Sequence, residues 1–365
     1  MAVKKKFKPI YWEAFIAILL PCILAGMRAD TIGTDLRVYV EPMYNAAKQS
    51  TSFSSYMDQR WYVIWRYMYV NKFEIGFTTL VYLIEKLGGS LGTVLFFIQA
   101  LILAPIYLGL KRMKKSYPVY LGMLVFYLLF YNTSLNMMRQ WIAMSILFYG
   151  LSYLITNEKK KYFITIVVAC LFHTSALMGV VIYFLYMYSQ KQREYIKIAN
   201  FKLSGSLAPV KVFIYGCIVL LSLNVIAVLL RTFGLAKYAG YIQGNGSIYL
   251  MPNQIILRLP IIILLIIRWR RILTEDELTP FYGSMLVLDL LASQLISINV
   301  YAFRIASFFS EYNMLSYSAL VYAGNRKYRT NRYVTLLYVL AYMVYYWISY
   351  YVITGTHATF PYMFA

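Results

Sequence analysis

The chain has 365 residues, of which 61% are hydrophobic and only 13% are charged, too few charged side chains to surround a water-soluble core of this size. Its apolar runs are about 15 to 25 residues long, as membrane-crossing helices require, and lack the short alternation of a membrane β-barrel. The net charge of +21 comes from basic residues that flank these runs, which indicates orientation and contact with anionic membrane lipid, and no nucleic acid partner is expected. An all-α polytopic membrane protein is predicted.

Basic clusters separate the apolar runs, and the positive-inside rule places them in the cytoplasm together with the N-terminus. They lie at 4–8, 111–115, 159–161, 191–211, 268–271 and 326–332. Residues 28–72 and 232–252 are then predicted to be external loops. In chain order the transmembrane helices are predicted at about 10–27, 91–110, 117–134, 137–156, 210–231, 253–269, 279–297, 303–323 and 333–353.

Two further apolar stretches are interpreted by counting crossings between the basic clusters. The stretch 73–88 is short and is closed by Gly88-Gly89. A membrane crossing here would place the next basic cluster, 111–115, on the outer side. A re-entrant or interfacial helix is therefore predicted. Residues 162–188 lie between two basic flanks and must cross an even number of times, so two short helices are predicted with a turn near His173 on the outer side. The total is about 11 transmembrane helices in a single transmembrane domain, 1–365.

The segment after the first span, ADTIGTDLRVYVEPMY, contains the first polar group on the outer side. Asp35 and Tyr39 are four residues apart and would share one face of a helix. Farther along the same loop, Arg60 and Arg66 stand among Trp and Tyr residues, a mixture that suits sugars joined to phosphate as well as the membrane interface. The alternative for the first group is a solvated loop with a helix start at Thr34 or Asp35.

The second polar group is in the stretch NTSLNMMRQWIA. Asn136, Arg139 and Gln140 would form one polar face at the outer start of an otherwise apolar helix. The helix dipole opposes an arginine at this end, so the position favours recognition of an anionic group by the guanidinium and the helix start together. Snorkelling of Arg139 to the membrane interface is the alternative.

The third polar group is in NVYAFRIASFFSEYN, where Arg304, Ser307 and Glu311 recur along one helical stripe. Ionisable residues inside a membrane span are functional candidates. An ion pair that satisfies both Arg304 and Glu311 is the alternative. Arg258 and Asp289, deep in two other apolar runs, are expected to form a structural pair of the same kind.

The external loop 232–252 carries Tyr241 and a flexible GNGS, and it is predicted to cover a site as a lid. It lacks the spacing of a phosphate loop, and the chain lacks HExxH, GxSxG and paired metal-ligand motifs. Neither a cofactor nor a metal is expected.

Taken in order, GTDLRVY, EIGFTTLVYLIEKLG, NMMRQWIA, LFHTSAL and the Arg304 stripe resemble the EpsG-like polysaccharide polymerases, a branch of the Wzy-type enzymes, over roughly residues 30–315. The combination of NxxRQ-xA with FHxSA carries most of the specificity. The resemblance implies an enzyme that extends bacterial exopolysaccharide, capsule or O-antigen on the outer face of the cytoplasmic (inner) membrane. It would move a growing glycan from one undecaprenyl diphosphate carrier onto the sugar of another, beside a chain-length regulator and a flippase of the same pathway.

Wzy-type enzymes also resemble the multi-pass GT-C-type glycosyltransferases, which often place an acidic residue in the first external loop, the position of Asp35. Transfer from a diphosphate carrier needs cations at the leaving diphosphate and a group that takes the proton of the acceptor hydroxyl. We therefore predict that Arg139 and Arg304 bind the diphosphate and that His173 or Asp35 is the catalytic group. Further predicted substrate contacts are Arg60 and Arg258 to the diphosphate, and Asn136, Gln140, Tyr39, Glu311 and Tyr241 to the sugars.

Other functions fit parts of the same pattern. A flippase or transporter of lipid-linked oligosaccharide would also bind an anionic lipid, but such proteins usually contain two related halves, and no internal repeat is apparent. An O-antigen ligase would use the same donor with a different acceptor. A membrane acyltransferase would require entry of acyl-CoA from the cytoplasm, whereas His173 is predicted to lie outside.

Overall fold

A computed structural model of the chain describes residues 10–113, 118–191, 196–198, 201–203, 206–234, 249–299, 303–322 and 329–365. Helices dominate these residues, and their β-structure consists of two short antiparallel hairpins and an isolated bridge. Tyr241 and most of the predicted loop 232–252, the expected lid, lie outside the described residues.

The chain divides into two compact units. Unit 1 comprises Met1–Lys114, Tyr127–Gly179 and Trp347–Ala365, and unit 2 comprises Lys115–Phe126 and Val180–Tyr346. Unit 1 is therefore assembled from three separate stretches of the chain.

The centre of unit 1 is a group of three helices, in which Leu91–Arg112 and Lys159–Cys170 both pack against Met138–Ile155. The Leu91–Arg112 helix begins with a capping box between Ser90 and Thr93 and ends in basic residues that suit the negative end of the helix dipole. The other elements are helical segments at Ile10–Ala14, Phe15–Leu19, Leu20–Gly26, Leu36–Val40, Glu41–Gln49, Phe53–Met57, Val70–Lys72, Ile75–Lys86, Tyr131–Asn136, Thr174–Leu177, Ile348–Ile353 and Thr356–Ala358, and the paired strands Arg60–Val63 and Arg66–Tyr69.

In unit 2 the Thr279–Ser293 helix packs against Ala208–Thr232, Pro252–Glu275 and Phe303–Ser310. Its buried face includes Phe281, Tyr282 and Met285. Other elements that lie wholly or partly in this unit are Val119–Leu129, Met178–Lys191, Gln294–Ser297, Asn313–Tyr322 and Arg329–Trp347, and the paired strands Ile196–Ile198 and Phe201–Leu203.

Among the described residues, three helices are long and apolar enough to cross a membrane: Leu91–Arg112, Thr279–Ser297 and Asn331–Ile353. The pair Ala208–Leu223 and Val225–Thr232, bent by 57°, adds a fourth if the two helices form one span. The all-α membrane class is therefore confirmed, and the number of about 11 crossings stays a prediction.

Several spans that were predicted as continuous helices are broken at particular residues. The predicted span 117–134 is interrupted after Leu129, and Met137, with φ −86° and ψ 53°, separates the next short helix from Met138–Ile155. The predicted span 303–323 is interrupted by a turn at Glu311. A break frees backbone hydrogen-bonding groups, which membrane proteins tolerate where the chain is buried in protein or lines a cavity.

Two features of the predicted outline are confirmed in local structure. The stretch 162–188 is broken near His173, which is extended (φ −160°, ψ 124°) between Lys159–Cys170 and the short Thr174–Leu177 helix. Residues 73–88 contain one helix, Ile75–Lys86. The interpretation of this helix as re-entrant or interfacial stays a prediction.

Candidate functional site

Asp35 and Tyr39 lie on one face of a short helical segment in unit 1, as their spacing predicts. The Tyr39 hydroxyl donates a hydrogen bond of 2.8 Å to Oδ2 of Asp35. Tyr39 is buried, whereas Asp35 is only partly buried. Burial and the neighbouring Asp35 carboxylate raise the pKa of Tyr39, so the phenol keeps its proton and remains a donor at neutral pH.

Arg139 forms an ion pair with Glu74, from Nη1 to Oε2. Its guanidinium also lies over two aromatic rings, 4.8 Å from the ring centre of Tyr39 and 4.6 Å from that of Phe73. The polar groups predicted from the sequence include Arg139 but not Glu74, although Glu74 is the first residue of the stretch EIGFTTLVYLIEKLG. The consequence is that the charge of Arg139 is already compensated by a carboxylate of the chain.

Glu74 links Arg139 to the break near His173. Oε1 of Glu74 accepts a hydrogen bond of 3.1 Å from the backbone N–H of Thr174. Close by, the N–H of Gly76 donates to the carbonyl of Leu171 at 2.8 Å, and a Cβ atom at Gly76 would lie only 2.7 Å from that oxygen. Only glycine permits this approach, so Gly76 fixes the start of the Ile75–Lys86 helix beside His173.

The ring of His173 caps the short Thr174–Leu177 helix. Nδ1 accepts a hydrogen bond of 3.1 Å from the N–H of Ser175 and lies 2.6 Å from the Ser175 hydroxyl oxygen. A ring nitrogen that accepts a backbone N–H carries no hydrogen, so in the neutral ring the hydrogen is assigned to Nε2. His173 is therefore an anchor of this turn and presents a donor at Nε2.

Asn136 joins the segment of Asp35 to the helix break at Met137. Its Oδ1 accepts hydrogen bonds of 3.0 Å from the Thr34 hydroxyl and from the N–H of Asp35. Its Nδ2 lies 3.1 Å from Nδ1 of His357. Asn136 thus contacts the backbone of a predicted catalytic residue and a histidine that sequence reasoning left unassigned.

The prediction that Asn136, Arg139 and Gln140 share one helical face is wrong. Asn136 ends the Tyr131–Asn136 helix, and the non-helical Met137 changes the direction of its side chain relative to the following helix. Gln140 is buried, with Nε2 3.7 Å from the sulfur of Met144.

Residues 354–365 cover the segment around Gly33. The N–H of Gly33 donates to the carbonyl of Ala358 at 2.9 Å, the side chain of Asn132 to Thr359 Oγ1 at 3.1 Å, and the N–H of Ala29 to the carbonyl of Met363 at 2.9 Å. Gly33 has φ +82°, and a Cβ atom there would lie 2.8 Å from the carbonyl oxygen of Leu135. The final stretch brings His357 into the site, and no sequence pattern in this stretch indicates that role.

Arg28 also lies in this part of unit 1, directly after the Leu20–Gly26 helix. The side chain is buried, with 3% of its surface exposed. Its Nη2 donates to the sulfur of Met138 at 3.1 Å. Arg28 is the first residue of the predicted loop 28–72, and no sequence pattern indicates a role for it.

Of the other predicted residues, Arg60 is on the hairpin of unit 1, where it lies over the Tyr67 ring at 4.8 Å and contacts the Tyr69 hydroxyl at 3.5 Å. Arg258 and Asp289 in unit 2 form the predicted buried pair, with two hydrogen bonds of 2.9 and 3.1 Å. Arg258 is therefore already paired within the protein.

Arg304 and Glu311 also belong to unit 2. Arg304 is partly buried in the Phe303–Ser310 helix, and Glu311 is fully buried in the turn after it. Neither carboxyl oxygen of Glu311 is hydrogen-bonded to a basic side chain in the part of the chain that the structure describes. The alternative in which Glu311 forms an ion pair with Arg304 is therefore not found among the described residues, where the turn after Ser310 leaves Glu311 in an enclosed position.

A cavity of about 750 Å³ lies in unit 2 between the helices Ala208–Thr232, Pro252–Glu275 and Thr279–Ser293. Its lining is mostly apolar, with Trp269, Arg270 and Arg271 at one side. None of the predicted site residues lines it, so the polar site of unit 1 remains the candidate functional site.

Comparison with known proteins assigns the family. No curated protein and no solved structure matches the chain. The EpsG family matches residues 11–364, nearly the whole length and far more than the short motifs that carry the resemblance. With membrane-spanning helices and a polar site built from those same motifs, the chain belongs to the EpsG family.

Proposed function

We propose that this chain is a glycosyltransferase that joins undecaprenyl-diphosphate-linked oligosaccharide repeat units into bacterial surface polysaccharide. Membership of the EpsG family indicates a role in polysaccharide synthesis in a membrane. One observation carries the finer proposal. In unit 1 a continuous series of contacts runs from Asp35 through Tyr39, Arg139 and Glu74 to the turn at His173. An acid, arginines and hydrogen-bond donors are the groups that transfer from a diphosphate requires.

In the proposed reaction, the acceptor hydroxyl oxygen attacks the anomeric carbon of the donor sugar. The bond from that carbon to the diphosphate oxygen breaks, and the leaving diphosphate keeps the electron pair. The proton of the hydroxyl passes to Asp35, which is partly accessible and is held in place by Tyr39 and Asn136. No metal is required where arginines balance the charge of the leaving group.

The geometry favours different roles for the two catalytic candidates, Asp35 and His173. Because Nδ1 of His173 accepts from Ser175, the ring is better suited to donate from Nε2 than to take a proton. We therefore assign the base to Asp35, and we assign His173 to the turn and to a hydrogen bond with the substrate. Arg139 holds Glu74 and the aromatic rings in position. Binding of diphosphate by Arg304 stays a prediction from the sequence.

The proposal includes the predicted arrangement in the membrane: a cytoplasmic N-terminus, about 11 crossings of GT-C type, and an active site on the outer face of the cytoplasmic membrane. The lipid-linked donor and acceptor are the substrates, and a chain-length regulator and a flippase of the same pathway are the proposed partners.

The test is the length of the surface polysaccharide made by cells that carry Asp35→Asn or Arg139→Ala. Asp35→Asn should insert in the membrane at its normal level and Arg139→Ala at a lower level, because Arg139→Ala loses the ion pair with Glu74. Cells with either variant should carry single repeat units without polymer. Arg37→Ala is the matched control, since Arg37 is exposed and pairs with Asp30, and it should leave polymer length unchanged. Normal polymer in both variants would contradict the proposal.

Two other outcomes would point to other functions. Lipid-linked units retained on the inner face would indicate a flippase. Carriers loaded with full-length polymer would indicate an O-antigen ligase.

A further inference from the structure

Arg28 is a buried cation that forms no hydrogen bond or ion pair with a carboxylate in the part of the chain that the structure describes. Its side chain is 3% exposed, its Nη2 donates to the sulfur of Met138 at 3.1 Å, and its Nε has no acceptor. A thioether is a weak acceptor, and a guanidinium has five N–H donors. Nε of Arg28 is therefore a buried donor without an acceptor, and Nη2 has only a weak one.

The surroundings of Arg28 contain one carboxylate, which favours its charge but forms no ion pair with it. The ionisable groups around the guanidinium are three tyrosines and one carboxyl group, Tyr131, Tyr362, Tyr39 and Asp35. Only Asp35 is anionic at neutral pH, and Tyr39 donates to its Oδ2. Burial lowers the pKa of Arg28 to about 10, so the side chain still carries its charge under physiological conditions.

The position of Arg28 excludes the usual role of an arginine at the end of a membrane helix, which is to extend its charge into water. Residues 354–365 lie across it: the chain on either side of Arg28 is hydrogen-bonded to Met363 and Ala365, and Arg28 itself forms a β-bridge with Phe364. The guanidinium is held inside unit 1. A buried charge of this kind is unfavourable unless an opposite charge joins it.

We propose that Arg28 is the residue of unit 1 that binds a phosphoryl oxyanion, the diphosphate of the lipid-linked donor. The planar guanidinium matches the oxygens of a phosphate. Arg139, the arginine that the sequence indicates for this role, is already paired with Glu74, whereas Arg28 is not paired. The inference rests on the proposed function, and it names the group that holds the donor near Asp35.

Entry of the phosphate requires residues 354–365 to move aside. Met363 and Phe364 are more than half exposed, so this stretch is an outer layer of unit 1. The diphosphate would replace the sulfur of Met138 as the partner of Nη2 and supply the acceptor that Nε lacks.

The test is thermal unfolding of the purified full chain in detergent, with undecaprenyl diphosphate, inorganic pyrophosphate or uncharged undecaprenol added. Wild-type protein should be stabilised by undecaprenyl diphosphate and, at higher concentration, by pyrophosphate, but not by undecaprenol. Arg28→Met should unfold at the same temperature as wild type or higher without ligand, because it removes an uncompensated buried charge and keeps an apolar chain. It should lose the stabilisation by both diphosphates.

Two matched variants test whether the planar guanidinium at position 28 is required. Arg28→Lys keeps the charge without the planar donor pair, and its affinity for undecaprenyl diphosphate should fall by about tenfold. Arg37→Met removes an exposed arginine that is paired with Asp30, and its response to ligand should equal that of wild type.

The inference is overturned if Arg28→Met unfolds well below wild type without ligand, since the side chain then has a structural role. It is also overturned if Arg28→Met keeps the wild-type response to undecaprenyl diphosphate, or if wild type shows no response. The polymer assay with Asp35→Asn separates these results from failure of the proposed function, because that assay does not depend on Arg28.

Discussion

The ion pair between Glu74 and Arg139 is expected to be one of the strongest side-chain interactions in the site. The two side chains are 12% and 18% exposed. Glu74→Gln would leave the charge of Arg139 uncompensated, and we expect a loss of about 2 to 3 kcal/mol of unfolding free energy. This lies between the value of about 3 to 5 kcal/mol for breaking a fully buried pair and the value of about 0 to 1 kcal/mol for an exposed pair.

Arg139→Gln removes the ion pair and also the contacts with the rings of Tyr39 and Phe73, which add about 0.5 to 1 kcal/mol each. We therefore expect a loss of about 3 to 5 kcal/mol for this variant. The double variant leaves no uncompensated arginine and should be little worse than Arg139→Gln alone. The resulting coupling energy is about 2 kcal/mol.

The measurement is equilibrium unfolding of the four purified proteins in detergent micelles with increasing dodecyl sulfate, followed by circular dichroism. The same cycle at Asp30 and Arg37 is the control, because both of those side chains are about half exposed and their coupling should be far smaller. Equal coupling in the two cycles would refute the conclusion that burial strengthens the Glu74–Arg139 pair.

Further predictions concern three other positions. Tyr39→Phe removes the hydrogen bond to Asp35 and should slow polymer formation in isolated membranes by about tenfold, the effect expected when one hydrogen bond is lost. An unchanged rate would contradict a role for this bond. Gly33→Ala should lower the unfolding temperature, because Gly33 has φ +82° and an added Cβ atom would lie 2.8 Å from the carbonyl oxygen of Leu135. An unchanged unfolding temperature would contradict this packing. The hydrogen bond from Lys161 lowers the pKa of Glu158, so Glu158→Gln should reduce stability slightly at pH 7, and the difference should disappear as the pH falls below that lowered pKa; a difference that persists in acid would refute this.

Features that depend on residues close together in the chain could be predicted from the sequence. The apolar runs establish the membrane class, the i and i+4 spacing correctly joins Asp35 to Tyr39, and the basic flanks correctly indicate a break near His173. The pairing of Arg258 with Asp289 followed from the cost of leaving either charge alone in an apolar run.

The partners of the site residues could not be predicted in this way. Glu74 and Arg139 are 65 positions apart, and Asn136 and His357 are 221 positions apart, so no local pattern encodes either contact. Helix breaks at non-helical residues such as Met137 also escaped detection, because hydropathy is continuous across them.

The chain order of unit 1 bears on how the protein is made. Its last stretch, Trp347–Ala365, follows the whole of unit 2. During synthesis the ribosome must therefore complete unit 2 before Tyr351 and His357 can reach Thr133 and Asn136. A fragment that stops at residue 179 would contain Asp35, Glu74 and Arg139 and still lack one wall of the candidate site, so this site is completed only late in translation.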